Sequence, residues 1–181
     1  LNVFYRDMSG FIVTESTTLS QVDENGVPIR LTRPVNSGNG KITGIEAQVR
    51  TFLDFEAVPD FLRNFGVEAN VTRLNAKTDQ VTPIGVQRLR IPDTSKWVAN
   101  LTGMYEGGGF SSRLSYNWRS GFPEGPIVND PGFSRQGRAR AASRLDWSNS
   151  YTVNDNLTVF ADWTNILKKP FQSDIVWTNY A

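Results

Sequence analysis

The stretch Trp97–Phe122, WVANLTGMYEGGGFSSRLSYNWRSGF, predicts the fold because it has the pattern of one β-hairpin. Along the second arm large apolar residues alternate with polar ones: Phe110, Leu114, Tyr116 and Trp118 against Arg113, Asn117 and Arg119. The first arm alternates similarly from Trp97 to Tyr105, and Gly107–Gly109 supply the positive φ angles of a tight turn. One apolar and one charged face fit either a soluble β-sandwich or an outer-membrane barrel wall.

Composition excludes several kinds of chemistry. The 181 residues contain neither cysteine nor histidine, so disulfides, thiolate or imidazole metal sites and histidine-based catalytic triads are ruled out. The formal net charge of +1 does not suggest a nucleic-acid partner, and no apolar run reaches the length of a membrane helix. We therefore expect no enzyme activity, no metal and no cofactor. Because the chain starts at Leu1 inside a strand pattern, we expect it to be a piece of a longer polypeptide.

The rest of the chain repeats the hairpin design. Residues 1–19 predict one long strand or two short ones with a bulge or break at Gly10, and 41–54 with 65–72 predict a second hairpin. A third hairpin turns at Asn154–Asn156, and a last strand runs near Ser173–Tyr180. The segments 21–40, 75–94 and 120–141 are rich in proline, glycine and turn residues, which predicts long loops, the first with a short strand pair.

The spacing of the turns favours the barrel. Tight turns near residues 58, 108 and 155 recur about every 48 positions, with long loops between them. Short connections at one end and long ones at the other are typical of outer-membrane barrels, whereas compact soluble domains seldom contain loops of roughly 20 residues. We predict an all-β chain, an antiparallel up-and-down meander that forms part of a transmembrane β-barrel, with about 7–9 strands in one domain over residues 1–181.

The polar positions of the strands predict a lumen. Full charges and amides recur on one face, at a density too costly for a dry core: Glu46, Gln48, Arg50, Glu68, Asn70, Arg113, Asn117, Arg144 and Asp146. The solvent face of an ordinary sheet would look the same. Glu46 and Glu68 also have the pattern of a glycosidase pair, but neutralised lumen carboxylates are the favoured interpretation.

Aromatic and basic residues provide the binding hypotheses. We expect membrane-interface anchors at the large aromatics of the strands: Trp97, Tyr105, Tyr116, Trp118, Trp147, Tyr151 and Trp163. The basic segment after the Trp97 hairpin favours an anionic ligand, and loop packing is the plainer explanation. Candidate ligand contacts in the loops or the upper lumen are Arg119, Phe122, Phe133, Arg135 and Arg138.

Four segments, in family order, resemble the C-terminal part of the barrel of TonB-dependent outer-membrane receptors. They are GKITGIE at 40–46, FGVEANVT at 65–72, RLSYNWR at 113–119, and NLT at 156–158 continuing to NILKKP at 165–170. The second and third are similar to the family patterns G-V-x-A-N-x-T and R-x-x-Y-N-W-R. In the last, Ile166 replaces the usual leucine.

The resemblance implies import of a scarce nutrient, a ferric siderophore, cobalamin or carbohydrate, driven through the TonB complex. It implies a 22-stranded barrel in the outer membrane around an N-terminal plug, of which this chain would supply about a third, without the plug or the last strand. Its partners would be outer-membrane lipid, that plug, the TonB complex and a small-molecule nutrient. The basic loops favour an anionic iron chelate, whereas residues 40–72 are similar to sugar importers.

The main alternative is a soluble β-sandwich of the carbohydrate-binding type, and a barrel enzyme is a third. The barrel predicts that Leu114, Tyr116, Trp118, Leu145, Trp147 and Trp163 lie on an uncovered face. The sandwich predicts that they lie between two layers.

Overall fold

The structure is a computed structural model that describes residues 1–10, 12–36, 39–82, 84–130 and 132–179, without the side chains of residues 13 and 81. The expectations that involve Phe11, Ser37, Gly38, Pro83, Pro131 and Tyr180 lie outside the described residues. The strands are β1 Asn2–Ser9, β2 Ile12–Val22, β3 Pro28–Asn36, β4 Asn39–Phe52, β5 Phe65–Thr82, β6 Gly85–Arg90, β7 Trp97–Gly107, β8 Phe110–Arg119, β9 Phe122–Asp130, β10 Phe133–Ala139, β11 Ala142–Asn154, β12 Leu157–Trp163 and β13 Ser173–Asn179. A single 3₁₀ turn, Asp60–Leu62, lies between β4 and β5.

Eight strands form one sheet, which we call the wall sheet. Its order is β1-β4-β5-β7-β8-β11-β12, with β6 also paired to β5, and all of its pairs are antiparallel. Gly108 and Gly109 have φ of 59° and 79°, the left-handed values of a two-residue hairpin turn. Within the described residues β1 and β12 each have one neighbour, so the sheet does not close. The all-β class and the antiparallel partial barrel are confirmed.

The two faces of the wall sheet differ in chemistry. The apolar face carries Ile45, Val71, Leu101, Leu114 and Trp147, which occupy matching positions in the strand registers. Leu114 is 46% exposed, Trp147 40% and Trp163 50%, so no second layer covers this face among the described residues. Side chains of a sandwich core would be buried. The two-layer sandwich therefore does not fit the structure.

The remaining five strands form a second sheet, which we call the rim sheet. Its order is β13-β10-β9-β2-β3, and β2 meets β9 in parallel through Ser16–Val128 and Thr17–Asn129. The segments 75–94 and 120–141 were expected to be loops, but they contain the end of β5, β6, β9 and β10. Proline and glycine misled the prediction because they lie here at strand starts and bends, where they are tolerated.

The rim sheet continues the hairpins of the wall sheet. In the wall, Arg119 of β8 pairs with Ala142 of β11, and three residues further Phe122 of β9 pairs with Ala139 of β10. The register is therefore unbroken across the bend. The same holds for β1 and β4, where Ser9–Asn39 is followed by Ile12–Asn36 in β2 and β3. Gly10, with φ of 68°, lies at that bend, where a bulge or a strand break was expected.

The buried residues show where the rim sheet lies. On the upper half of β5, Ala76, Thr78, Gln80 and Thr82 are at most 7% exposed. They are on the face that also carries Asn70, because side chains alternate along a strand. The rim sheet therefore covers the polar face of the wall beyond Arg73, and the core of the molecule lies in this overlap.

Candidate ligand-binding clefts

A cleft of about 360 Å³ lies between β6 and the rim sheet, and we call it the rim cleft. It is lined by residues of the four strands β6, β9, β10 and β13: Gln87, Leu89, Arg90, Pro123, Ile127, Ser134, Gln136, Gly137, Arg138, Val176 and Thr178. The floor is apolar at Leu89, Ile127 and Val176. Apolar walls with a few convergent polar groups are the usual construction of a small-molecule site.

The polar groups of the rim cleft are cations and amides. Arg138 is exposed, and the described lining of the rim cleft contains no carboxylate. Arg90 is oriented by a hydrogen bond from Nη2 to the Thr94 carbonyl at 2.9 Å, and Gln136 Nε2 donates to the Gly125 carbonyl at 3.0 Å. The cleft is therefore suited to a ligand that carries negative charge and hydrogen-bond acceptors.

A second cleft of about 380 Å³, the wall cleft, opens on the polar face below the bend. Asn100, Asn117 and Arg144 form its floor, and Lys169 and Phe171 come from the connection between β12 and β13. Two backbone hydrogen bonds hold that connection in place. The Asn165 N–H donates to Asp146 Oδ1 at 2.9 Å, and the Ile166 N–H donates to the Leu145 carbonyl at 2.8 Å. Its three cations are Arg119, Arg144 and Lys169.

Arg119 joins the wall cleft to the bend. Its guanidinium lies 4.8 Å from the ring centroid of Phe122 and 5.8 Å from that of Phe171. Phe122 is 5% exposed, so its ring supports Arg119 and leaves little surface for a ligand. Contact with two rings orients the guanidinium at the edge of the wall cleft.

The other predicted ligand residues lie apart from one another. Arg138 lines the rim cleft, whereas Arg135 forms an ion pair with Asp130 at 3.1 Å and its guanidinium lies 5.8 Å from the Trp177 ring centroid. Phe133 packs on the same indole at 5.4 Å. Sequence reasoning missed Gln87 and Gln136 of the rim cleft and Phe171 of the wall cleft. No local pattern marks them, because each reaches its cleft only when distant strands are assembled.

The predicted lumen residues form hydrogen-bonded pairs across the polar face. Asn70 donates to Glu46 at 3.0 Å, Gln48 donates to Glu68 at 3.2 Å, and Arg50 lies 3.9 Å from Glu68. Arg113 pairs with Glu106 at 3.0 Å and Arg144 with Asp146 at 2.7 Å. Each of these carboxylates has an amide or cationic partner.

The predicted interface aromatics share the apolar face. Tyr105 packs between two rings outside the predicted interface set, Phe65 at 4.9 Å and Phe110 at 6.0 Å, close to the short turns. Trp147 and Trp163 stack at 4.9 Å, and the Arg73 guanidinium lies 5.3 Å over Trp97. The remaining three, Tyr116, Trp118 and Tyr151, follow the same face in the strand register.

A bidentate ion pair links the residue after β10 to the start of β13. Arg140 donates from Nε and Nη2 to the two carboxylate oxygens of Asp174, both at 2.7 Å. These hydrogen bonds lower the pKa of Asp174 and raise the pKa of Arg140.

The described residues contain no group of three or more acidic side chains placed to hold a metal ion. Among them, no helix is long and apolar enough to cross a membrane.

The family model of the TonB-dependent receptor-like β-barrel matches residues 1–166. The chain belongs to this family. The resemblance seen in the four sequence segments is thereby confirmed, and TonB-dependent receptor barrels are outer-membrane transport proteins rather than enzymes. The comparisons with curated proteins and with solved structures gave no match. In this TonB-dependent receptor barrel, the two clefts are the candidate sites for the transported ligand.

Proposed function

We propose that this chain is the part of an outer-membrane receptor that captures an anionic small molecule, such as a ferric chelate, for TonB-driven import. The observation that carries the proposal is the composition of the two clefts. Both open on the polar side of the wall, and both combine arginine or lysine with amides and no lining carboxylate. A ligand with several negative oxygens would exchange its water for these donors at each cleft.

The position of the clefts suits a path into a lumen. The rim cleft lies beyond the bend and the wall cleft lies below it, with Arg119 and Phe122 between them. We propose that the polar face lines the lumen, where its charges and amides would contact the plug. The apolar face would then lie in outer-membrane lipid, with its aromatic residues at the interfaces.

A neutral carbohydrate is the second candidate. Gln87 and Gln136 in the rim cleft, and Asn100, Asn117 and Phe171 in the wall cleft, are the amides and aromatic ring that a sugar would use. The two arginines of the rim cleft and the three cations of the wall cleft favour an anion over a neutral ligand.

The test uses the complete receptor that carries this chain and two probes, ferric citrate and maltose. We expect Arg138→Gln and Lys169→Gln each to weaken ferric citrate binding about tenfold, the effect of losing a charged hydrogen bond. Arg63→Gln is the control, since Arg63 lies beside the 3₁₀ turn at the opposite end of the wall. The proposal would be wrong if the receptor bound maltose but not ferric citrate and the cleft variants weakened maltose binding. The ligand would then be a sugar rather than an anion.

Transport is tested separately. Collapse of the proton gradient should stop uptake of the bound probe and leave its binding to the receptor unchanged. Uptake that continues without the gradient would contradict TonB-driven import.

A further inference from the structure

One residue outside the rim cleft, Asp93, joins the two sides of that cleft. It lies between β6 and β7 and has a φ of 60°, a left-handed value that aspartate tolerates better than most residues. Its N–H donates to the Pro123 carbonyl at 2.7 Å, and its Oδ1 accepts the Gly125 N–H at 3.4 Å. Asp93 thus links the chain that follows β6 to β9 of the rim sheet.

The rim cleft opens where this link ends. On the side of the wall sheet the two chains stay together, because the Ser120 N–H donates to the Trp97 carbonyl at 2.9 Å. On the other side β6 pairs with β5, and no register pair in the described part of the chain joins β6 to β9. The cleft occupies this gap, with Arg90 and Pro123 in its lining. Asp93 therefore lies at the closed end of the cleft.

Beside the link, β9 contains a bulge. The β9–β10 register shifts here, so that the three residues Gly125–Ile127 of β9 oppose the single residue Gln136 of β10. The first residue of the bulge, Gly125, has a φ of 60°. A bulge redirects the side chains of its strand, and the last residue of this one, Ile127, belongs to the apolar floor of the rim cleft. The conformation of the bulge therefore decides how that floor meets a ligand.

Two side chains hold the backbone of Gly125 from opposite sides. Asp93 accepts its N–H, and Gln136 Nε2 donates to its carbonyl at 3.0 Å. Gln136 lines the rim cleft, whereas Asp93 does not. These hydrogen bonds stand in for the ladder bonds that residues in a bulge lose, at a glycine whose backbone has little conformational preference of its own.

We propose that Asp93 is a positioning residue for the ligand of the rim cleft, because it holds the β9 bulge in the conformation that presents Ile127. The inference rests on the proposed binding of an anion in this cleft. The Asp93 carboxylate would repel such an anion, so charge alone predicts that every neutral replacement improves binding. Positioning predicts that only a replacement that still accepts the Gly125 N–H does so.

The first test compares Asp93→Asn with Asp93→Gly in the complete receptor, with ferric citrate as the probe. Asparagine keeps the acceptor and tolerates the left-handed φ, so it should bind the probe at least as tightly as wild type. Glycine keeps the N–H but removes the acceptor, and we expect about threefold weaker binding, since the lost hydrogen bond is long and exposed. Its melting temperature should stay near that of wild type, because relief of the left-handed strain offsets the greater freedom of glycine in the unfolded chain.

The second test needs no ligand and measures hydrogen exchange of the peptide 122–128 in the same variants. We expect faster exchange in Asp93→Gly and wild-type exchange in Asp93→Asn, because only the first frees the Gly125 N–H. Wild-type exchange in Asp93→Gly would overturn the proposal. So would equally tight ferric citrate binding by the two variants in a receptor whose binding Arg138→Gln weakens. If Arg138→Gln has no effect on binding, the anion proposal fails instead, and exchange alone decides the role of Asp93.

Discussion

A Cβ atom placed on Gly121 would lie 2.5 Å from the carbonyl oxygen of Ala139 across the hairpin. Gly121 is the residue at which β8 bends into β9, and Ala139 is the last residue of β10 and fully buried. The close approach allows the paired strands β8 and β11 of the wall sheet to continue as β9 and β10 of the rim sheet. Any side chain at residue 121 must push the two backbones apart, because a carbonyl held in a ladder cannot rotate away.

We therefore expect Gly121→Ala to destabilise the rim sheet by about 1–3 kcal/mol, the usual cost of overpacking. Gly103→Ala is the control, since Gly103 lies in the middle of β7 with open space around it. Thermal unfolding in detergent and proteolysis of residues 120–141 measure the effect. Equal behaviour of the two variants would show that the bend tolerates a side chain.

The Arg140–Asp174 pair should make the rim sheet sensitive to acid. The pKa of Asp174 is lowered below its ordinary value of 3.8 by hydrogen bonds from Arg140, so the folded state binds this proton less readily than the unfolded state. The stabilisation is complete above pH 3.8 and is lost as the pH falls through the folded pKa. We expect protease resistance of β13 to fall with pH in this window.

Asp174→Asn should remove that acid-dependent step and lower resistance at neutral pH. Asp60→Asn is the matched control, because Asp60 pairs with Arg63 at the far end of the wall and is 93% exposed. If Asp174→Asn showed the same acid-dependent loss of protease resistance in β13, that loss would belong to a group other than Asp174.

The tryptophans should report which face meets lipid. Trp97, Trp118, Trp147 and Trp163 lie on the apolar face, whereas Trp177 lies in the rim sheet. In bilayers with brominated acyl chains, we expect quenching of each of the first four. Replacement by phenylalanine, one residue at a time, identifies the fluorescence that each contributes.

Trp177 provides the internal control and should be quenched least. Strong quenching of Trp177, with weak quenching of Trp147 and Trp163, would mean that the apolar face is covered in the membrane.

The connection between β12 and β13 should depend on Asp146. Its carboxylate accepts the Asn165 amide at 2.9 Å and the Arg144 guanidinium at 2.7 Å. Asp146→Ala should free the connection and speed tryptic cleavage after Lys168 roughly tenfold, because loss of a charged hydrogen-bond acceptor favours local opening.

Asp162→Ala is the comparison, since it removes a carboxylate from the same face of the wall sheet on the neighbouring strand, β12. Equal cleavage rates in the two variants would show that Asn165 is held by other contacts.

The hairpins of the wall followed from local pattern. Alternation around Gly107–Gly109 predicted β7 and β8, and the turn at Asn154–Asn156 predicted β11 and β12, because both arms of a tight hairpin lie within one sequence window. The apolar and polar faces followed from the same alternation. The polar pairs, such as Asn70 with Glu46, were predicted as a group and not as partners, because register decides which side chains meet.

The rim sheet did not follow from the sequence. Val128 pairs with Ser16, more than a hundred residues away, and no local pattern encodes that meeting. Pro123 and Pro126 favoured a loop, although β9 tolerates both beside the bend at Gly121. The clefts were missed for the same reason, since Gln87, Gln136 and Val176 become neighbours only when β6, β10 and β13 are assembled.

The sequence by itself thus determined the class of the fold, the two faces of the wall and the family, because alternation and turn chemistry act over short distances along the chain. Only the tertiary structure decided that the long connections form a second sheet over the polar face, and where Arg138 and Lys169 lie. These depend on pairing between distant strands, whose register is set by backbone hydrogen bonds and by the close approach at Gly121.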